Sequence, residues 1–126
     1  MLPPQTYDLI VDCRFLHCIV DWEARALVLR KLRAALRDGG ELWSETMVGV
    51  PAVRRGAGFC LDDAGVFWKA LGGDMEPLSP IRRIHRDVQG LNQEFEAAGF
   101  VVLQQEVEAP QDAYSVSMTR TGLLAR

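Results

Sequence analysis

No apolar run in this chain approaches the ~20 residues that a membrane-spanning helix needs, so no transmembrane segment is expected. The N-terminal Met-Leu-Pro-Pro-Gln-Thr lacks the basic-then-apolar layout of a secretory signal. Cysteine is scarce: three residues, an odd count at irregular spacing, argue against a disulfide framework and fit a reducing cytoplasm, where the chain is expected to reside. Positive charge is not in excess either. With 14 Lys and Arg against 17 Asp and Glu, the net charge of −3 predicts no broad nucleic-acid surface. Cys13, His17, Cys18 and Cys60 form no paired ligand spacing, so no metal site is expected. Repeats and low-complexity tracts are missing, as are the phosphate loop and acidic cluster that a nucleotide-binding or receiver-like domain would carry.

What is present is the composition of an ordinary globular protein, 48% hydrophobic and 25% charged over 126 residues. That length suits one domain, residues 1–126, with enough apolar surface for a core without metal or disulfide staples. The clearest stretch is Tyr7 to Met47. Tyr7–Asp12 has a continuous Leu9-Ile10-Val11 centre, which predicts a strand buried on both faces, as in the middle of a parallel sheet. Such a strand needs two neighbours, and only one is in sight, so its other edge is predicted to be an apolar template open to pairing.

A basic amphipathic helix follows. Asp21 is its expected N-cap and Glu23 lies in its first turn. Ala24, Val28, Leu32 and Leu36 recur at helical spacing and are predicted to face the sheet, with Arg25, Arg30, Lys31, Arg33 and Arg37 on the remaining surface. Gly39 is placed to end the helix in a left-handed turn, and Glu41–Met47 is a second strand. Strand, helix, Gly-Gly, strand is the pattern of a right-handed parallel crossover.

Residues 48–86 are broken by Pro51, Gly56, Gly58, Gly65, Gly72, Gly73, Pro77 and Pro80 into a long connection or lid, with a turn or two of helix expected in Asp62–Leu71. A second amphipathic helix is predicted over Asp87–Ala98, stopped by Gly99. Phe100–Val107 and a segment within Ser115–Ala125 then form a terminal antiparallel hairpin around Ala109-Pro110-Gln111-Asp112.

Three segments in this order resemble the C-terminal half of the class I S-adenosylmethionine-dependent methyltransferases. Tyr7–Asp12 with Phe15-Leu16-His17-Cys18-Ile19 is similar to the family's fourth strand and following turn. Leu32–Leu42 is similar to its helix, Gly-Gly break and fifth strand. Phe95–Val102 is similar to its last helix and the strand entering the terminal hairpin. The family's Gly-rich cofactor loop after a first strand has no counterpart here; Gly56-Ala57-Gly58 lies after the fifth-strand match. The resemblance implies a Rossmann-like α/β half-domain: a mostly parallel sheet of about four strands, ordered first, second, fourth, third, with flanking helices and only the C-terminal strand antiparallel.

It also implies S-adenosylmethionine as cofactor and methyl transfer to an unidentified, small-molecule or other, acceptor. Asp12, Cys13, Arg14 and Phe15 would then contact the cofactor, against an alternative in which Asp12 caps the turn and Phe15 packs in the core. His17, Glu45 and Met47 would face the acceptor, His17 being suited by its ordinary pKa to serve as a base and Met47 equally suited to the core. No catalytic residue is assignable. Expected partners are an N-terminal half-domain or a second copy. The alternative function is a non-catalytic α/β binding or oligomerisation module that pairs through its exposed first strand.

Overall fold

The computed structural model describes residues 2–49, 55–56, 59–61, 65–70, 78–108 and 115–124. Strand β1 (Tyr7–Cys13) pairs in parallel with β2 (Leu36–Val48), which pairs antiparallel with β8 (Ser115–Leu123), itself antiparallel to β7 (Phe100–Val107). The order β1-β2-β8-β7 leaves three strands running one way and β8 the other, as predicted. Helix α1 (Trp22–Ala35) crosses from β1 to β2, and α2 (Val88–Ala97) precedes β7.

Both helices lie on one face of this sheet. Leu29 of α1 and Leu91 and Phe95 of α2 share a core with Leu36, Leu42, Val48 and Phe100. Asp21 caps α1 as expected, accepting from the Ala24 amide at 3.1 Å, and Asp87 caps α2, accepting from the Gly90 amide at 2.9 Å. Gly99, at φ 93, makes the left-handed turn that ends α2.

Four expectations are corrected. Helix α1 ends at Ala35 rather than at the Gly-Gly pair. The β1–β2 register jumps from Tyr7↔Leu36 to Leu9↔Glu41, so Arg37–Gly40 bulge from the ladder and Gly39, at φ 78, serves that bulge. The buried positions of α1 are Arg25, Leu29 and Ala35, with Leu32 packed partly against the core, rather than Ala24 and Val28; Arg25 is 1% exposed because a carboxylate from α2 meets it. Strand β1 lies at the edge among the described strands, as expected, but it is not buried on both faces: Leu9 is 45% and Val11 60% exposed, on the face away from the helices.

The fourth correction lies in the long connection. Where a helical turn was expected, Val66–Ala70 is a strand, the third of an antiparallel sheet made of β3 (Arg55–Gly56), β4 (Phe59–Leu61), β5 (Val66–Ala70) and β6 (Leu78–Arg83). The remainder of that helical expectation, residues 62–64 and 71, lies outside the described residues, as does the turn expected at Ala109-Pro110-Gln111-Asp112.

The second sheet is tied to the first by backbone. The Gly49 amide donates to the His85 carbonyl at 2.9 Å, and Val48 at the end of β2 forms a parallel bridge with His85. Side chains complete the joint. Arg25 reaches Glu94 through two hydrogen bonds of 2.6 and 2.9 Å and the Arg83 carbonyl at 2.8 Å, and His85 Nε2 lies 2.9 Å from the same Glu94 carboxylate. Trp22 stacks near His85 and takes the Arg25 and Arg83 guanidiniums over its ring at 4.8 and 4.7 Å.

Alternation in β8 is inverted relative to hydrophobicity. Ser117, Thr119 and Thr121 are buried while Met118 is 47% exposed. The hydroxyls are satisfied: Thr121 donates to the Leu42 carbonyl, Ser117 to that of Thr46, and Thr119 accepts from Gln105. The face away from the helices therefore carries Leu9, Val11, Trp43, Leu103 and Met118 in contact with solvent, around a depression of ≈ 230 Å³ between Trp43, Met118 and Arg120.

Candidate functional site

In an open sheet with parallel strands, ligands collect beyond the strands' carboxyl ends. Here that rim is formed by the ends of β1 and β2, whose last parallel pairs are Asp12↔Ser44 and Cys13↔Glu45. The chain leaves β1 through Arg14, a non-glycine residue at φ 63. That conformation costs about 1–2 kcal/mol for an L-residue. Glu45 holds it, its carbonyl accepting from the Arg14 amide at 2.8 Å and its carboxylate from Arg14 Nε at 3.1 Å. The other Glu45 oxygen receives the Cys13 thiol at 3.6 Å.

Asp12 builds the rest of the turn. Its Oδ1 accepts the Phe15 amide at 2.8 Å and its Oδ2 the Ser44 hydroxyl at 2.9 Å. The carboxylate thus caps the turn. Phe15 is 55% exposed, so it stands out from the rim instead of packing in the core. Cys18, on the following 3-10 turn (Leu16–Cys18), donates its thiol to the Arg14 carbonyl at 3.5 Å.

His17 lies behind this turn and is 3% exposed. The Met47 amide donates to its Nδ1 at 3.0 Å, and the Thr46 hydroxyl lies 3.2 Å from the same atom. A nitrogen that accepts a backbone N–H carries a lone pair, so the neutral ring holds its proton on Nε2. Burial, then the charges of Arg82, Arg25 and Arg14, lower the His17 pKa to about 4. The expectation of a base with an ordinary pKa is corrected: near neutral pH the ring is uncharged and its Nδ1 is occupied.

Asp12, Cys13, Arg14, Phe15 and Glu45 are thus one hydrogen-bonded unit. Met47 is 5% exposed, and it meets His17 through its backbone. Sequence reasoning missed Ser44, which faces Asp12 across the ladder, and Arg82 of β6, whose buried Nε has no hydrogen-bond partner among the described residues. Ser44 was legible in principle, since the strand register that pairs Leu9 with Glu41 also pairs Asp12 with Ser44. Arg82 carried no signal beyond the basic run Arg82, Arg83, His85 and Arg86.

No protein-family model matches the chain, and no curated protein matches it. Solved structures do. A methyltransferase from Methanosarcina mazei described as SAM-dependent superposes with a TM-score of 0.72 at 13% identity, over 98% of this chain and 63% of its own. The Burkholderia thailandensis 1,6-didemethyltoxoflavin-N1-methyltransferase, with bound S-adenosylhomocysteine, gives 0.64 at 13% identity, over 99% and 47%. The fold is that of the class I S-adenosylmethionine-dependent methyltransferases. The chain spans about half to two-thirds of the length of those neighbours. The same fold also serves other chemistry, since the [4+2]-cyclase SpnF superposes at 0.62 with 14% identity over 98% of this chain and 53% of its own. No helix among the described residues is long and apolar enough to cross a membrane.

Proposed function

We propose that this chain is the C-terminal part of an S-adenosylmethionine-dependent methyltransferase. The observation that supports it is the Arg14 turn: backbone strain held in place by Glu45, at the strand ends where such folds take ligands. The residues fit a cofactor's edge in part. Asp12 has both oxygens engaged and serves to position the turn, whereas Cys13, Arg14 and Phe15 are exposed and offer a thiol, a guanidinium and an aromatic wall.

When bound, the cofactor supplies an electrophilic methyl group on a sulfonium. The chain's own contribution is alignment and exclusion of water. Phe15 walls the cofactor side, while Glu45 and His17 border the acceptor. With Nδ1 occupied, His17 acts there as an Nε2–H donor. Met47 supports the ring from behind. The second sheet covers this rim as a lid, and the free thiols of Cys13 and Cys18 suit a reducing, cytoplasmic setting.

The uncovered face and unpaired β1 edge would receive an N-terminal half-domain, whose strand adds beside β1 and whose helices cover Val11, Trp43 and Met118. The same exposed edge supports the second reading, a non-catalytic module that pairs through β1 with a second copy. Calorimetric titration of the chain with S-adenosylhomocysteine tests the first. A saturable heat, weakened in Arg14→Ala and Phe15→Ala, is expected; its absence up to millimolar ligand removes the cofactor site from this chain. A stable dimer by light scattering, lost in Val11→Lys, would favour the module instead.

A further inference from the structure

Three guanidiniums act on His17: those of Arg82, Arg25 and Arg14. Two are neutralised by carboxylates within the fold. Arg25 is held by Glu94 at 2.6 Å, and Arg14 by Glu45 at 3.1 Å. Arg82 is different. Its Nε is buried without a hydrogen-bond partner among the described residues. A buried N–H without a partner carries a desolvation cost, larger when it belongs to a charged group. Arg82 stands on β6, the strand that packs against the 3-10 turn bearing His17. After burial itself, its charge has the largest effect on that ring.

The adjoining ring adds a second donor of known polarity. Because Met47 occupies Nδ1, His17 presents Nε2–H and no free lone pair. The junction between the second sheet and the rim therefore offers N–H donors and a guanidinium that no carboxylate of the described residues meets. A guanidinium presented through Nε–H and a terminal N–H matches the two oxygens of a carboxylate or phosphate. We propose that Arg82 and His17 form an anion-binding site, and that the methyl acceptor carries a carboxylate or phosphate group that docks there. The acceptor part of this inference rests on the methyltransferase reading; the anion site itself does not.

The test uses the chain with its histidine rings labelled with nitrogen-15, titrated separately with benzoate, phenyl phosphate and neutral benzamide. His85 serves as the internal reference. The expected result is a saturable displacement of the His17 ring signals by at least one anion and by benzamide not at all. The tighter of the two anions identifies the group. Arg82→Gln weakens that binding by roughly tenfold or more, as loss of one charge-assisted hydrogen bond would, and Arg82→Lys weakens it less. A melt of each variant checks folding, and Arg82→Lys carries the comparison if Arg82→Gln unfolds.

His17 signals unmoved by both anions, equal movement by benzamide, or unchanged affinity in the Arg82 variants would each overturn the site. Titration of the same sample with S-adenosylhomocysteine separates the two ideas. Anion binding without cofactor binding removes the methyltransferase reading and keeps the anion site. Cofactor binding without an anion response removes the anion site alone.

Discussion

Replacing Glu94 with alanine removes the only carboxylate that meets Arg25 among the described residues. Arg25 is 1% exposed and makes three hydrogen bonds, two of them to Glu94. The substitution leaves one bond, to the Arg83 carbonyl, and an uncompensated charge under Trp22. Breaking a buried pair from one side costs about 3–5 kcal/mol. For 126 residues the whole stability is roughly 6–19 kcal/mol, so this is a large share of it.

With an unfolding entropy of about 0.26 kcal/mol/K for this length, the melting midpoint falls by about 10–20 °C. Because His85 shares the carboxylate, the junction between the second sheet and the helices loosens as well. Urea melts of the parent, Glu94→Ala, Arg25→Met and the double variant Arg25→Met/Glu94→Leu measure the effect. The double variant, which buries no charge, is expected to recover most of the loss. A Glu94→Ala cost below about 1 kcal/mol would refute the reasoning, because it would mean that Arg25 finds water or another partner without penalty.

Three further outcomes follow from the geometry. The His17 pKa is about 4 when folded against 6.5 as its ordinary value, so the unfolded chain takes up a proton that the folded chain refuses. The contribution, about 3 kcal/mol, is complete above pH 6.5 and is lost as pH falls toward 4; a pH series of urea melts should show this acid-side slope flattened in His17→Asn. Gly65 sits at φ 87, and a Cβ there would lie 2.3 Å from the Ile84 carbonyl oxygen. Gly65→Ala should cost at least about 2 kcal/mol and speed hydrogen exchange at the Ile84 amide. Gly49→Ala, with φ 92 but its nearest contact at 3.6 Å, should cost only the backbone part, about 1 kcal/mol.

The sequence by itself determined the main sheet and its two helices. Local signals sufficed there: a capping aspartate at 21, an amphipathic period over the second helix, a glycine stop at 99, and an unbroken apolar centre in β1. It also pointed to one partner strand for β1, the one after α1, and among the described residues that is the strand that pairs with it. The rim turn was legible as a place, because the strand ends fix it.

Tertiary structure decided the rest. Strands β3 to β6 pair as a sheet through contacts between short pieces of a glycine- and proline-broken stretch, and no periodicity survives in pieces of two to six residues. Arg25 was assigned to the surface because its partner stands 69 positions along the chain; only folding brings Glu94 to it. In β8 the hydroxyls turned inward and Met118 outward, because Thr46, Leu42 and Gln105 provide partners that hydropathy does not register. The charge state of His17 was likewise beyond the sequence. A histidine's pKa is set by burial and by the charges around it, and those belong to the assembled fold.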